Sequence, residues 1–374
     1  MKGIPSLVAL ASLLVLTACS SGPVEKGPAS LANAFDGAFL VGGALGAHVF
    51  NGESPLDSAL AATHFNTITA ENVLKWGPVH PEAGRYDFEP ADQFVAFGEA
   101  HDQFIVGHTL VWHSQTPAWV FEDDDGNPLD REALLARMKD HIETVAGRYR
   151  GRIDAWDVVN EALNDDGSLR QTPWLRIIGE DYLVKAFEYA EAAAPDAELY
   201  YNDYSMTNPA KRAGAMRLVR SLQEAGVRID GVGAQGHYTL ETPTAGAVDS
   251  SITDLASLGI KVMITELDAD VLPRSNSGAE ISQIQEYYPE LNPYTDGLTD
   301  EAAARLADRY REFFEIYVRH ADKVDRVTFW GVSDGGSWLN YWPVRGRTNH
   351  ALLFDRDGQP KRAFEAVMGT ASVR

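Results

Sequence analysis

Two stretches of the sequence each end a run of apolar residues with a glutamate. They are residues 156–161, WDVVNE, and residues 262–268, VMITELD. An apolar, β-branched run that stops at a polar residue is typical of a buried parallel strand, whose last side chains lie at the rim of the sheet. Two carboxyl groups brought together by the fold are what hydrolysis of a glycosidic bond requires. One such residue is more simply a surface carboxylate, but two in the same structural position favour a catalytic role for Glu161 and Glu266.

The composition limits the substrates and partners of the chain. Its 374 residues, 45% of them hydrophobic, are enough for one large barrel or two ordinary domains. The formal net charge of -22 predicts an acidic surface that repels nucleic acid, so we expect no nucleic-acid partner, whereas a neutral substrate is compatible. The 8 Trp and 14 Tyr offer flat faces for sugar rings, although most aromatic residues are simply core.

The single cysteine, Cys19, ends an N-terminal segment that is typical of an export signal. Lys2 precedes an apolar run over residues 7–16, which is too short to span a membrane, and small residues come directly before Cys19. This arrangement resembles a bacterial lipobox, which implies cleavage before Cys19 and lipid attachment to its sulfur; an ordinary signal peptide that contains a cysteine is the alternative. We expect a lipoprotein signal peptide over residues 1–18, a flexible tether over residues 19–33, and an exported bacterial lipoprotein anchored in the outer membrane or at the cell surface.

The elements that must position the two glutamates alternate regularly through the rest of the chain. Strand-like runs alternate with patterns of helical period, which predicts a single (β/α)8 TIM barrel, an α/β fold, over residues 34–374. In that fold the active site lies at the carboxyl ends of the strands. Strands are predicted over residues 39–45, 65–69, 104–112, 153–159, 199–202, 231–234, 261–265 and 327–330, and the clearest helices over residues 131–150, 181–194, 210–225, 247–258 and 299–320.

Polar and aromatic side chains follow seven consecutive predicted strands. A lone His or Trp is more often a core residue than a ligand, but a series of seven strand ends predicts a cleft with hydrogen-bonding groups and flat faces for sugars. A zinc pair of His108 and His113 is the lesser alternative, because no spacing typical of a metal site is present, and we expect no metal and no cofactor. The strand-end residues are Glu71, Asn72, Lys75, His108, Trp112, Gln115, Asn160, Glu161, Asn202, Tyr204, Gln235, His237, Glu266, Asp268, Trp330 and Trp338.

These motifs, in this order, resemble those of glycoside hydrolase family 10, the retaining endo-β-1,4-xylanases. The resemblance covers the chain from about Phe35 onward, and it is most specific in residues 157–161, DVVNE, together with residues 264–268, ITELD. It implies hydrolysis of internal β-1,4-xylosidic bonds of xylan or xylo-oligosaccharides by a monomer, with retention of configuration. It also implies a non-proline cis peptide near His108-Thr109. The loop over residues 270–298 is longer than the family pattern.

The resemblance also implies a role for each strand-end residue. Glu161 would be the acid/base, Glu266 the nucleophile, and Asn160 the partner of the 2-hydroxyl of the reacting sugar. The remaining residues would bind substrate. The second sugar would be bound by Glu71, Asn72 and Lys75, and the reacting sugar by His108, Trp112, Gln235 and Trp330, while a barrier to the hydroxymethyl group of glucose would be formed by Gln115 and Trp338. At the end of the fifth strand, Asn202 would also bind substrate, and Tyr204 would be a stacking platform for the leaving group.

The residues themselves add two expectations about geometry. Glu266 and Asp268 are two apart, so on a continuing strand they face the same way, and His237 at the neighbouring strand end could lie between them and keep Glu266 ionised. Strict alternation would point Asn160 and Glu161 to opposite faces, so the strand must end or kink there. We expect the pKa of Glu161 to be raised towards the working pH.

Three other functions remain open at this point. A related barrel glycosidase acting on cellulose or mixed-linkage glucan would share both glutamates, but Lys75, Gln115 and the tryptophans after the eighth strand argue against it. A non-catalytic glycan-binding lipoprotein would need neither glutamate. A transglycosylase would differ only in which acceptor reacts.

Overall fold

The computed structural model describes residues 30–274 and 279–371, and it confirms the predicted barrel. The strands are β1 Leu40–Leu45, β2 Thr67–Ala70, β3 Phe104–Val111, β4 Ala155–Asn160, β5 Glu198–Asp203, β6 Gly231–Ala234, β7 His237–Thr239, β8 Lys261–Asp270 and β9 Val324–Phe329. All pairings between them are parallel, and the order β1-β2-β3-β4-β5-β6-β8-β9 closes on itself because β9 pairs with β1. The short β7 pairs with the outer end of β8.

Helices lie between the strands, and the five predicted ones are confirmed to within two residues at either end. Many begin at a capping hydroxyl, such as Thr299, whose side chain accepts a hydrogen bond from the backbone N–H of Ala302. The helices are α1 Leu31–Ala34, α2 Ala47–Phe50, α3 Pro55–His64, α4 Trp76–Val79, α5 Glu89–Ala100, α6 Arg131–Arg148, α7 Pro173–Ile178, α8 Tyr182–Ala193, α9 Pro209–Glu224, α10 Ala245–Ala256, α11 Asp300–Arg319 and α12 Arg362–Thr370, with short 3-10 turns at Ala118–Val120, Pro289–Leu291 and Trp338–Asn340.

Two strands differ from their predicted bounds by three residues or more, for identifiable reasons. β8 continues five residues past its predicted end, because its outer part pairs with β7, where His237 lies opposite Asp268. β9 begins at Val324, earlier than predicted. The charged Asp325 and Arg326 interrupt the apolar pattern from which the start of the strand was predicted, but the arginine is buried despite its charge. Both differences arise from tertiary contacts and not from local propensity.

The first described residues already belong to the barrel domain. The side chain of Ser30 accepts a hydrogen bond from the backbone N–H of Asn33 at 3.2 Å, and Leu31 is fully buried. The predicted tether over residues 19–33 is therefore too long, because a capped helix with a buried leucine begins at Leu31, before the predicted end of the tether. The predicted signal peptide and Cys19 lie outside the described residues. Within residues 30–274 and 279–371, no helix has both the length and the apolar character needed to cross a membrane.

Candidate active site

Glu161 follows the last residue of β4 in an unusual backbone conformation. Its φ angle is 56°, in the left-handed region that residues other than glycine rarely adopt. Its backbone N–H donates to the carbonyl oxygen of Asn202 at 2.9 Å, on the neighbouring β5. This turn ends the strict alternation of the strand, as predicted, so that Asn160 and Glu161 both lie at the cavity described below.

The carboxyl group of Glu161 is buried and accepts two hydrogen bonds. The side-chain amide of Gln235 donates to Oε1 at 2.9 Å, and the indole N–H of Trp112 donates to Oε2 at 2.9 Å. Burial, and then the negative charge of nearby Asp203, raise the pKa of Glu161 to about 7, although the two donors oppose the shift. A carboxyl group with this pKa can both donate and accept a proton near neutral pH.

The carboxylate of Glu266 has the opposite electrostatic setting. It lies on β8, where Oε1 accepts from the amide of Asn202 at 2.7 Å and Oε2 lies 3.1 Å from Nε2 of His237. The other ring nitrogen of His237 lies 2.9 Å from Oδ2 of Asp268, so the imidazole is between the two carboxylates, as predicted. Burial would lower the pKa of His237, but Asp268 and Glu266 together raise it to about 9, so the ring is charged at neutral pH and both nitrogens donate.

The pKa of Glu266 follows from these contacts. Its burial alone would raise the pKa, but the hydrogen bond from His237 and the positive charges around it, including Lys75, lower the pKa below the ordinary value for glutamate. Glu266 is therefore ionised at a pH at which Glu161 still holds a proton for much of the time.

Asparagine and glutamine side chains connect the two glutamates. The amide of Asn202 that donates to Glu266 also lies 3.0 Å from Oδ1 of Asn160, and Nε2 of Gln235 lies 3.4 Å from the same oxygen. Thr265 donates to Oδ1 of Asn202 at 2.6 Å and so fixes the orientation of its amide. The close packing of the Asn202 side chain against β6 requires a glycine at position 233, since a Cβ there would lie 2.2 Å from Oδ1 of Asn202.

Aromatic residues and a lysine form the wall beside the glutamates. The Lys75 ammonium donates to Oδ1 of Asn72 at 3.1 Å and lies 5.1 Å from the ring centroid of Trp112 and 6.0 Å from that of Trp330. Nδ1 of His108 is 2.9 Å from Oδ2 of the buried Asp157, and the peptide bond after His108 is cis, as the family resemblance implied.

Trp338 has a structural contact in addition to its predicted place at the cavity. Its indole N–H donates to Oδ2 of Asp268 at 2.7 Å, and its ring stacks on Trp342 with a centroid separation of 4.6 Å. The tryptophan therefore orients the carboxylate that holds His237. Gln115, the other residue predicted to restrict the substrate, is exposed at the cavity edge.

These side chains surround a cavity of about 600 Å³ at the carboxyl ends of the barrel strands. Asn202 and Asp268 are not part of its lining, because each lies behind a residue that it orients. Tyr204 borders a neighbouring cavity, also of about 600 Å³. The predicted residues that line the first cavity are Glu71, Asn72, Lys75, His108, Trp112, Gln115, Asn160, Glu161, Gln235, His237, Glu266, Trp330 and Trp338.

Comparison with known proteins decides the family. Residues 30–370 match the sequence profile of glycosyl hydrolase family 10. The chain belongs to this family. Endo-1,4-beta-xylanase A of Xylanibacter ruminicola is 47% identical over 332 residues, which are 88% of this chain and 90% of that protein.

Solved structures of family 10 members have the same fold. A GH10 endoxylanase retrieved from a sugarcane soil metagenome is 44% identical, with a TM-score of 0.87 over 91% of this chain and 99% of that one. A mutant of TsXylA, the intracellular xylanase of Thermoanaerobacterium saccharolyticum, solved in complex with xylotriose, is 34% identical, with a TM-score of 0.79 over 90% of this chain and 98% of that one. The resemblance to family 10 is confirmed, and the chain is a glycoside hydrolase.

Tyr204 of this family 10 hydrolase is more enclosed than a simple stacking platform. Only 6% of the residue is exposed, and the ammonium group of Lys211 lies 3.3 Å from its ring centroid. Its hydroxyl accepts a hydrogen bond from Arg170 at 2.6 Å. A sugar on the leaving-group side would therefore have to use the ring face opposite Lys211.

The sequence analysis missed a group of charged residues around Tyr204. The Lys211 ammonium forms an ion pair with Oδ1 of Asp203 at 2.8 Å, and both side chains are fully buried. Arg170 also donates to Oε2 of Glu280 at 2.6 Å. Asp203 ends β5 and could have been found from that position, but the other three carry no local signal.

The two histidines considered as a zinc pair have separate partners. His108 contacts Asp157, whereas Nε2 of His113 lies 4.0 Å from Oε2 of Glu280. Across the described ranges, no group of three or more His, Cys, Asp or Glu side chains is arranged to hold a metal ion.

Proposed function

We propose that this family 10 hydrolase is an endo-1,4-β-xylanase that cleaves internal β-1,4-xylosidic bonds with retention of anomeric configuration. The observation that carries the proposal is the unequal electrostatic setting of two buried glutamates, Glu161 directly after β4 and Glu266 within β8. The pKa of Glu161 is raised to about 7, and the pKa of Glu266 is lowered. Paired carboxyls with opposite shifts are the arrangement expected of an acid/base and a nucleophile.

The reaction takes place in two steps. In the first, the carboxylate of Glu266 attacks the anomeric carbon while Glu161 gives its proton to the departing glycosidic oxygen, and a glycosyl-enzyme ester forms. In the second, Glu161, now ionised, takes a proton from water, whose oxygen displaces Glu266 and releases the sugar in the original configuration. His237 keeps the nucleophile ionised through its bond to Oε2, and Asp268 and Trp338 hold the histidine in place.

The cavity wall supports xylose as the sugar. Glu71, Asn72 and Lys75 offer charged and amide groups to sugar hydroxyls, and the exposed side chain of Gln115 and the ring of Trp338 narrow the space that a hydroxymethyl group would need. The named xylanase relatives support the same substrate class. Asn160 is linked to both glutamates through Asn202 and Gln235, which supports a contact of its side chain with the 2-hydroxyl that would strengthen in the transition state.

The substrate is tested by measuring reducing ends released from xylan and from carboxymethylcellulose. Xylan should be degraded with a rapid fall in viscosity, as internal cleavage requires, and carboxymethylcellulose should not. Equal release from both polymers would favour a glucanase, and products longer than the substrate would favour a transglycosylase.

The roles of the two glutamates are tested separately. Glu161→Ala should lose xylan hydrolysis, whose leaving alkoxide needs a proton, yet still cleave an aryl xylobioside with an acidic phenol. Azide should then accelerate turnover and give the β-configured glycosyl azide. Glu266→Ala should be inactive on both substrates without azide. Added azide should displace the phenol of the aryl xylobioside directly and give the α-configured glycosyl azide. A sugar trapped on Glu161, detected by mass spectrometry, would reverse the assignment.

The predicted lipid anchor belongs to the same proposal. A mature protein attached through Cys19 would hold the barrel and its cleft outside the membrane, and we propose that it acts there as a monomer. An outer-membrane or cell-surface location suits an enzyme whose polymeric substrate cannot enter the cell.

A further inference from the structure

The described part of the loop after β8, from residue 279 onward, contacts two other loops at the mouth of the barrel. Glu280, on this loop, accepts a hydrogen bond from Arg170, on the loop after β4. Five residues later the backbone N–H of Gln285 donates to the carbonyl oxygen of Pro343 at 2.7 Å, on the loop after β9. In the barrel order β4 and β9 lie opposite each other, with three strands between them on either side. Residues 280–285 therefore connect the loop after β4 to the loop after β9 within a span of at most about 17 Å.

The residues beside Glu280 lie directly at the catalytic cavity. Ala279 borders both the cavity that contains the two glutamates and the neighbouring one beside Tyr204, and only 2% of it is exposed. Ile281 lines the catalytic cavity as well. The segment over residues 279–285 is named here the strap, and it begins at the boundary between the two cavities.

Beyond Ile281, the strap has little buried apolar surface to hold it in place. Its outer residues 282–284 are exposed, and Ile284 is 52% exposed. The side chains of Arg170 and Glu280, by contrast, are only 17% and 16% exposed. Burial would raise the pKa of Glu280, but the Arg170 charge lowers it, so the carboxylate is ionised when it meets the guanidinium.

We propose that Glu280 and Arg170 form a latch that decides how readily polymeric xylan reaches the catalytic pair. This inference rests on the proposed function. An internal bond of a polymer enters the cleft sideways, so the strap must lift for it to pass. A xylo-oligosaccharide of a few units enters through the open ends of the cleft beneath a closed strap. The ion pair therefore lowers the association rate for polymer and leaves that for short substrates unchanged, and Glu280 is a specificity-determining residue.

The test compares wild type with Glu280→Gln on two substrates. The ratio of kcat/KM on polymeric xylan to kcat/KM on an aryl xylobioside should rise about fivefold in the variant, the factor that corresponds to a partly exposed ion pair of about 1 kcal/mol. Glu286→Gln is the matched control, because it removes an acidic charge from the same loop at an exposed site whose carboxylate accepts from the hydroxyl of Tyr288. The control should leave the ratio at its wild-type value.

A second test of the latch uses salt. Raising NaCl from about 0.1 to about 1 M should increase the same ratio for wild type, by less than the substitution does because the pair is largely buried, and should not increase it for Glu280→Gln. An unchanged ratio in both arms would overturn the latch. A fall in activity on the aryl xylobioside alone would also overturn it, since Glu280 would then contact the sugar. Wild-type inactivity on both xylose-based substrates would instead show that the proposed function is wrong.

Discussion

Replacing Trp112 with phenylalanine should move the alkaline limb of the pH profile to higher pH. The substitution removes the indole N–H that Glu161 accepts at 2.9 Å and leaves a flat ring in the wall. This donor stabilises the ionised carboxylate, so its loss raises the pKa of Glu161 above its value of about 7. The acid form, which the first step of the reaction needs, then persists to higher pH.

The size of the shift can be worked from the contacts of Glu161. A hydrogen bond to a charged group contributes about 1.5–3 kcal/mol, and one pKa unit corresponds to about 1.4 kcal/mol, which sets a range of about 1–2 units. Trp112 is 6% exposed, so water has little access to the vacated position. The amide of Gln235 remains at 2.9 Å and limits the change. We therefore expect a shift of about 1 unit.

The assay is kcat/KM for a xylo-oligosaccharide as a function of pH, because this ratio reports the pKa values of the free enzyme. At pH 8 wild type should retain about a tenth of its plateau and Trp112→Phe about half of its own, whatever the plateau of the variant. Trp330→Phe is the matched control, since Trp330 lines the same cavity and Glu161 accepts from Trp112 and Gln235 instead. An alkaline limb that stays in place or moves to lower pH would refute the assignment of Glu161 as the acid.

The remaining predictions concern the anchor, the sugar and acid stability. Cys19→Ser should transfer the enzyme from the membrane to the soluble fraction with unchanged specific activity, as shown by fractionation and xylan assay, because two or more acyl chains are needed for stable anchoring. Gln115→Ala should raise kcat/KM on aryl glucosides relative to aryl xylosides by about tenfold, since it enlarges the space for one hydroxymethyl group. Burial lowers the pKa of His80 to about 4 and lowers that of His141, and their Nδ1 atoms lie 3.2 Å apart. The stability that this neutral histidine pair contributes should therefore be fully present above about pH 6.5 and be lost as pH falls towards 4. In urea unfolding, His80→Phe should have a lower free energy of unfolding than wild type at pH 7 but should lose less of it between pH 7 and pH 5.

The barrel and the two glutamates could be predicted because local patterns encode them. β4 is a largely apolar run followed directly by Glu161, the first half of β8 is an apolar run that leads to Glu266, and the helices between strands carry the 3.6-residue period. The outer half of β8 could not be predicted, because its strand geometry comes from pairing with β7, where His237 lies opposite Asp268. The buried Arg326 hid the start of β9, since a charged residue argues against a barrel interior.

The roles of residues within the site were harder to separate than their positions. Trp112 and Gln235 were predicted to contact the reacting sugar, and both line the cavity, but each also donates to Glu161. A residue type that bonds a sugar hydroxyl also bonds a carboxylate, so the sequence could not distinguish the two uses. The pair Arg170 and Glu280 lies 110 positions apart on two loops, where no periodicity relates one residue to the other.

The buried pair of Asp203 and Lys211 is best explained by the pKa of Glu161. A buried ion pair often stabilises a fold no better than apolar residues of the same volume, so stability alone does not account for it. The negative charge of Asp203 is the largest influence after burial that raises the pKa of Glu161. The double variant Asp203→Asn with Lys211→Met removes both charges. In the wild type the backbone N–H of Tyr204 donates to Oδ1 of Asp203 at 2.9 Å, and the asparagine keeps an oxygen that can accept this bond. Its thermal midpoint should stay within a few degrees of wild type, while the alkaline limb of kcat/KM should move down by about half a unit to one unit. A large loss of stability with an unmoved limb would show that the pair serves the fold and not the acid.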